Sequence, residues 1–147
     1  MKAYQHILLA ADFSPQSGTV AIKAGELAKL YQARLSIIHV LDSIPMPDIS
    51  YGTVIPLDND TGDDHLEAEK NSLIQIADEL KIETENCWLI WGNPQEEVIQ
   101  FTRTHQVDLI VTGSHGRHGL ALLLGSTANS ILHHADCDVM AVYLENN

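Results

Sequence analysis

Short apolar runs alternate along the chain with longer stretches in which apolar residues recur every three or four positions. The runs HILLAAD (6–12) and VDLIV (107–111) are continuous, which is typical of strands covered on both faces of a sheet. Between such runs, Val20, Ala24 and Leu27 share the spacing of one apolar helix face. The chain therefore predicts a regular alternation of strands and helices.

The alternation predicts five strands, at 6–12, 34–42, 86–92, 107–113 and 137–144. The four helices between them are predicted to begin at Ser14-Pro15, Thr61, Pro94 and Ser126, the second ending near Lys81 and the last near His134. Parallel strands need right-handed crossovers, so this order predicts an α/β fold with an open, five-stranded, mostly parallel sheet and helices on both faces. Residues 43–60 are predicted to be irregular, and they either cover a binding site or form a variable insertion.

Length and composition fit a single globular domain spanning residues 1–147. The net charge of −12, from 8 basic and 20 acidic residues, argues against binding to nucleic acid or to anionic membranes. The first apolar stretch is too short to span a bilayer and Asp12 interrupts it, so we interpret it as a strand of a cytoplasmic protein. Cys87 and Cys137 lack the spacing of a metal or redox motif and are predicted to be buried thiols.

The positions that follow the strands are the best candidates for a binding site. In open parallel sheets, ligands bind beyond the carboxyl ends of the strands, where the winding direction reverses. Asp12 follows the first strand and either caps the next turn or accepts hydrogen bonds from a ribose or a base. Its neighbours Ala10 and Ala11 are small and leave room at such a crevice.

Residues 113–127, GSHGRHGLALLLGST, hold the densest cluster of glycines in the chain. Gly113 and Gly116 allow the backbone to approach an anion closely, and Arg117 adds a forked donor suited to phosphate oxygens. The sequence Gly125-Ser126-Thr127 supplies a helix start with free amides and two hydroxyls. The segment is neither a Walker A motif nor a dinucleotide fingerprint, so it is either an anion site or an ordinary turn.

Four stretches of the sequence together resemble the universal stress protein family. They are ILLAADFS, IIHVLD, GNPQEEVIQFTRTHQVDLIVTGSHG and LLLGSTANSILHHADCDVMAVYL, and the likeness covers essentially the whole chain. The resemblance implies a nucleotide-binding α/β fold of the adenine nucleotide alpha hydrolase type, in a cytoplasmic protein that binds ATP with or without Mg²⁺. It also implies a homodimer through the last strand, near Val139 to Leu144. An open apolar edge strand would invite aggregation, which independently favours a symmetric partner there.

In ATP-binding members of that family, a phosphate and ribose cradle has the pattern Gly, two residues, Gly, nine residues, then Gly-Ser or Gly-Thr. By resemblance, the cradle falls on Gly113, Gly116, Gly125, Ser126 and Thr127. Ala10, Ala11 and Asp12 would lie beside the nucleotide. Val40 would offer backbone groups to adenine. Only eight residues separate Gly116 from Gly125 here, so the shortened loop either keeps its amides on the phosphates or moves them away.

No catalytic or metal-binding pattern accompanies these residues. The eight histidines show no convergent ligand spacing, and no base for Ser126 and no pair of acid–base carboxylates is evident. We therefore expect no catalytic residue, no metal site of the protein's own and at most slow ATP hydrolysis. The leading hypothesis is a homodimeric ATP-binding regulatory protein of a bacterial-type stress response, acting as a nucleotide-dependent switch. The alternative is a dimeric protective or interaction module without nucleotide, and an enzyme transferring phosphoryl or nucleotidyl groups has the weakest support.

Overall fold

The predicted alternation corresponds to six strands and four α-helices in the parts of the chain that the computed structural model describes. Those parts are residues 3–13, 17–42, 50–58, 60, 62–114 and 126–144, with Ser126 and Thr127 described by their backbone. The strands are β1 (His6–Ala10), β2 (Arg34–Leu41), β3 (Thr53–Val54), β4 (Cys87–Trp91), β5 (Leu109–Gly113) and β6 (Asp138–Val142). The helices are α1 (Ser17–Tyr31), α2 (Asp64–Leu80), α3 (Pro94–Thr104) and α4 (Ser126–His134), and a 3-10 turn spans Thr84–Asn86.

The strands form one sheet in the order β3-β4-β2-β1-β5-β6. Neighbouring strands are parallel except for β3 and β4. The chain starts in the middle of the sheet at β1, moves outward to β2 and β4, and then returns to β5 on the other side of β1. The prediction of an open, mostly parallel α/β sheet is confirmed, and the winding direction reverses between β1 and β5.

Helices cover both faces of the sheet, as predicted. Ile7 and Leu9 of β1 belong to an apolar cluster with α1 and α2, whereas Leu8 between them belongs to a cluster with α3 and α4. Successive side chains of a strand point to opposite faces, so a strand covered on both sides needs apolar residues throughout. This requirement explains the continuous apolar runs in the sequence.

The sixth strand comes from residues 43–60, which the sequence predicts to be irregular. Gly52, with a φ of 90°, turns the chain toward the end of β4, and its amide donates to the carbonyl oxygen of Trp91 at 2.6 Å. β3 then pairs antiparallel with β4 at the edge of the sheet. This pairing satisfies backbone N–H and C=O groups that the edge of the sheet would otherwise leave to solvent. The prediction of an irregular segment is therefore wrong for Thr53 and Val54. Residues 43–49 and 59 lie outside the described residues.

The helices α3 and α4 begin where the sequence predicts them to begin. α2 begins later than predicted, because its cap is Asp63, whose Oδ1 accepts the amide of Leu66 at 3.0 Å, rather than Thr61. An aspartate at this position satisfies a free amide and complements the helix dipole. Thr61 and the predicted start of α1 at residues 14–15 lie outside the described residues. Within the described ranges, no helix has both the length and the apolar character needed to cross a membrane.

The two cysteines are free thiols on or beside strands. Cys87 is buried in β4, and Cys137 is half-buried just before β6. Burial raises the pKa of each thiol to about 11, so neither is a ready nucleophile near neutral pH. The prediction of a buried thiol is confirmed for Cys87, whereas Cys137 is partly exposed.

Candidate functional site

A cleft lies at the carboxyl ends of β1 and β5, where the winding direction of the sheet reverses. Four predicted site residues line it together: Ala10, Ala11, Asp12 and Gly113. The first turns of α1 and Ile76 of α2 contribute to the opposite wall. The cleft encloses about 240 Å³, a volume that includes space open to solvent. Its position is the one at which open α/β sheets bind ligands.

Asp12 is the one charged side chain among the described residues that line the cleft. The other lining side chains are apolar or small, with Ser17 adding a hydroxyl. Neutral walls with one carboxylate accept hydrogen bonds from sugar hydroxyls, but they do not neutralise phosphates. The described walls can therefore accept hydrogen bonds from a neutral ligand, whereas an anionic group would need donors from elsewhere.

Val40 lies in β2, two residues beyond the last position that pairs with β1. The direction of its backbone groups follows from two hydrogen bonds of 2.9 Å: Ala11 N donates to Ile38 O, and Gly92 N donates to Leu41 O. The backbone N–H and C=O groups of successive residues point to opposite sides of a strand. Those of Val40 therefore point toward β1, like those of Ile38, and away from β4. Because β1 ends before it reaches Val40, the N–H and C=O of Val40 face the space beyond the carboxyl end of β1.

Three predicted cradle residues, Gly116, Arg117 and Gly125, lie outside the described residues. Ser126 and Thr127 form the start of α4. A helix that follows a parallel strand runs back along the sheet, so this start lies at the same edge as the end of β5. The fold thus brings Gly113 and the beginning of α4 to the edge that carries the cleft.

The turn after β1 is strained at Phe13, whose φ of 56° lies in the left-handed region. A bulky residue in this conformation costs about 1–3 kcal/mol and persists only where neighbouring contacts hold it. His39 supplies such a contact, since the centroids of its ring and the Phe13 ring lie 4.0 Å apart. Nδ1 of the same histidine donates to the carbonyl oxygen of Ala11 at 2.7 Å. Asp12 therefore lies between two residues that His39 contacts.

His39 is buried at the carboxyl end of β2, beside the first turns of α2. Its Nε2 lies 3.4 Å from Oε2 of Glu69, without the alignment of a hydrogen bond. The sequence analysis missed His39, Phe13 and Glu69 as neighbours of the site. One signal was present in the chain: His39 is the single ionisable residue in the apolar run IIHVL. A buried ionisable group of this kind needs specific partners.

Gly92, at the end of β4, is required for packing. A Cβ atom at this position would lie 2.7 Å from Cγ of Glu97, closer than packed atoms approach. Burial, with the neighbouring Glu96 carboxylate, raises the pKa of Glu97. The glycine lets the first turn of α3 close over the end of β4.

The described ranges contain no group of three or more His, Cys, Asp or Glu side chains arranged to hold a metal ion. His134 lies in the last turn of α4, where its Nδ1 contacts the carbonyl oxygen of Ser130 at 2.9 Å. This contact satisfies a carbonyl at the negative end of the helix, which agrees with a structural rather than a metal-binding role for the histidine.

Both the sequence and the fold are similar to those of known proteins. The model of the universal stress protein family matches residues 3–143. Universal stress protein A homolog 1 of Coxiella burnetii (strain RSA 493 / Nine Mile phase I) is 39% identical over 145 residues, which cover 97% of this chain and 98% of that protein. The solved structure of hypothetical protein MJ0577 has a TM-score of 0.78 at 23% identity, covering 99% of this chain and 100% of that one. A crystal structure of a universal stress protein in complex with cAMP has a TM-score of 0.69 at 23% identity, covering 97% and 98%.

Proposed function

This chain belongs to the universal stress protein family, and on that basis we propose that it is a cytoplasmic, ATP-binding regulatory protein of a stress response. In this proposal residues 1–147 act as one domain and two copies form a homodimer. Nucleotide bound beside residues 113–127 and the segment 43–60 changes the surface that partner proteins recognise. The protein thereby acts as a nucleotide-dependent switch.

The observation that carries the proposal is the meeting of Ala10, Ala11, Asp12 and Gly113 in one cleft at the switch point of the sheet. The small side chains leave room for a ribose and a planar base, and the Asp12 carboxylate accepts hydrogen bonds from ribose hydroxyls. The N–H and C=O of Val40, which face the space beyond β1, supply the donor and acceptor that an adenine edge needs. These groups support the choice of adenosine as the part of the ligand that contacts the described residues.

A structural neighbour supports the class of ligand. The universal stress protein solved with cAMP shares this fold, and cAMP and ATP contain the same adenosine group. ATP is the better candidate for this chain because residues 113–127 keep the glycines and the Gly-Ser pair that, by resemblance, form the family's phosphate cradle, with one residue fewer between them.

The phosphates are proposed to bind residues 113–127 and the start of α4. Backbone amides of the loop, the guanidinium of Arg117 and the hydroxyls of Ser126 and Thr127 provide the required donors. The net charge of −12 opposes a polyanion, so these donors must be concentrated at one place. Mg²⁺ would bind mainly to the phosphates, and hydrolysis would be slow because the described residues that line the cleft include no acid–base pair.

Calorimetric titration of the nucleotide-free protein with MgATP tests the proposal. We expect saturable binding to the wild type, and Gly116→Val should weaken it by about tenfold or more because a branched side chain occupies the phosphate space. Gly18→Val is a suitable control, since Gly18 lies on α1 with no heavy atom within 4 Å of an added Cβ. Absence of saturable binding at millimolar MgATP would contradict the proposal.

The dimer is proposed to form through β6, near Val139 to Leu144. This strand pairs with β5 on one side, and the described residues place no strand on its other side. The amide of Ser114 donates to Val142 O at 2.9 Å, so the backbone groups of Val142 face β5. The backbone groups of the alternate residues face away from β5, toward a second copy: Val139, Ala141 and Tyr143. Tyr143 is 76% exposed, which leaves a large aromatic surface available to a second copy.

Light scattering coupled to gel filtration tests this interface. Ala141→Pro removes one outward amide and should convert the dimer to a monomer, because proline cannot donate to the strand of a second copy. Ala141→Val keeps the amide and should leave the dimer intact. An unchanged dimer in the proline variant would place the interface elsewhere.

A module that binds no nucleotide remains the alternative function. Two observations favour it: the eight-residue spacing between Gly116 and Gly125, and the absence of any basic side chain among the described residues that line the cleft. A stable dimer with no detectable MgATP binding in calorimetry would establish this alternative.

A further inference from the structure

We propose that His39 is a positioning residue of the candidate nucleotide site. Its ring fixes the turn Ala11–Phe13 and so sets both the Asp12 carboxylate and the backbone of Val40. The inference rests on the proposed nucleotide binding, although its structural part can be tested without nucleotide.

The first link is the hydrogen bond from His39 Nδ1 to the carbonyl oxygen of Ala11, at 2.7 Å. A carbonyl only accepts, so Nδ1 must carry the proton in this contact. In a continued parallel ladder, the Ala11 carbonyl would accept the amide of Val40 instead. The imidazole thus binds the carbonyl that marks the end of β1, and the Val40 amide remains directed toward the space beyond it.

The second link is the packing of Phe13 on the same imidazole. The ring centroids lie 4.0 Å apart with an interplanar angle of 35°, and Phe13 has the unfavourable φ of 56°. One histidine therefore holds the residue before Asp12 through a hydrogen bond and the residue after it through ring contact. This arrangement limits the directions in which the Asp12 carboxylate can point.

The third link connects the ring to α2. Oε2 of Glu69 lies 3.4 Å from Nε2, on the opposite side of the ring from the Ala11 contact. At this distance the Glu69 side chain limits the rotation of the ring from the helix side.

A purely structural histidine would behave differently, and the chain contains one for comparison. His6 is also 5% exposed and its Nδ1 also lies near a backbone carbonyl, that of His105, at 3.0 Å. It lies at the amino edge of the sheet, far along β1 from the cleft. Changes at His6 should therefore alter stability without altering nucleotide binding.

The test compares two polar replacements of His39 in the full-length protein. Asparagine places its amide nitrogen near the position of Nδ1, whereas glutamine places it near that of Nε2. We expect His39→Asn to bind MgATP within about threefold of the wild type, and His39→Gln to bind about tenfold or more weakly. His39→Leu should resemble the glutamine variant, and His6→Asn should retain the wild-type affinity while melting at a lower temperature.

Nitrogen-15 NMR spectra of the nucleotide-free proteins supply the second readout. In His39→Gln the backbone amide signals of residues 11–13 and 40 should shift, while in His39→Asn they should stay near their wild-type positions. The wild-type ring should show the Nδ1-protonated form. Equal spectra for the two variants, or equal affinities, would overturn the proposal.

The two readouts separate the possible failures. If the wild type does not bind MgATP, the proposed function fails, and the NMR comparison still decides whether His39 fixes the turn. If the wild type binds and both polar variants bind equally well, the proposed function stands and the positioning role is wrong. If the leucine variant does not fold, the asparagine and glutamine pair decides the question.

Discussion

The amino and carboxyl edges of the sheet each contain a buried histidine, and the two residues have different surroundings. At the amino edge, both ring nitrogens of His6 have polar contacts: Nε2 lies 2.7 Å from Ser36 Oγ, and Nδ1 lies 2.9 Å from Nη2 of Arg34 and 3.0 Å from His105 O. At the carboxyl edge, Nδ1 of His39 is well bonded to Ala11 O, but its buried Nε2 has no aligned partner among the described residues. Both ring nitrogens of His6 therefore have partners within the chain, whereas only one ring nitrogen of His39 has an aligned partner among the described residues.

The backbone at the two edges differs in the same way. Near the amino edge, the Asp108 carboxylate accepts the amides of Gln5 at 2.9 Å and His6 at 3.1 Å. Near the carboxyl edge, the N–H and C=O of Val40 face the space beyond β1. Left-handed non-glycine residues occur near both edges and do not distinguish them. Satisfied groups stabilise a fold, whereas outward-facing groups are available to a ligand. The amino edge is therefore closed by contacts within the chain, and the open backbone groups at the carboxyl edge support the proposed ligand site.

The largest expected effect is on stability, at the amino edge. His6→Leu removes the partner of the buried Ser36 hydroxyl, so the free energy of unfolding should fall by about 1–3 kcal/mol. Urea denaturation measures the loss, and calorimetry should show an unchanged affinity for MgATP.

A second substitution sharpens that result. Adding Ser36→Ala to His6→Leu removes the unpaired hydroxyl and should recover part of the lost stability. An unfolding free energy that is the same in the wild type and in His6→Leu would show that the amino edge does not support the fold in this way.

The next effect is on affinity, at the carboxyl edge. Ala11→Leu fills the cleft and should weaken MgATP binding by about tenfold, which corresponds to about 1.4 kcal/mol. Ala33→Leu is the matched control, because Ala33 is also partly buried against the same apolar cluster but lies at the amino edge. Isothermal calorimetry compares the MgATP affinities of the two variants. Equal affinities would show that the carboxyl edge is no more important for binding than the amino edge.

The smallest effect is a dependence of stability on pH. Burial lowers the pKa of His6 below its usual 6.5, and the nearby charge of Arg34 acts in the same direction, while the His105 carbonyl and Asp108 oppose it. The unfolded chain therefore binds a proton before the folded chain does. The contribution of His6 is present above about pH 6.5 and is lost as the pH falls through its lowered folded pKa.

Denaturation of the wild type and of His6→Leu between pH 7.5 and pH 5 checks this dependence. The wild type should lose more stability than the variant over this range, because the variant has no ring to protonate. Parallel curves for the two proteins would assign the acid sensitivity to other groups.

Much of the fold was predictable because its signals are local. Continuous apolar runs predict the parallel strands, and the rule for switch points predicts the carboxyl edge for Asp12 and Gly113, which line one cleft there. β3 was not predictable from its own two residues, since it forms only because the end of β4 offers a pairing edge. The cap of α2 was misplaced because Thr61 and Asp63 are both good capping residues.

The environment of the candidate site was harder to predict than its position. His39, Phe13 and Glu69 come from β2, the turn after β1 and α2, and no spacing in the sequence reveals that they meet. The left-handed conformation of Phe13 is also unexpected for an aromatic residue. Contacts of this kind depend on tertiary packing, which local patterns do not encode.

Amide chemical shifts followed during titration with MgATP show which edge of the sheet binds nucleotide. We expect the largest changes at residues 10–13, at Val40 and at Gly113, with the amides of His6, Ser36 and Asp108 nearly unchanged. Changes centred on the amino edge, or no changes at millimolar nucleotide, would contradict it.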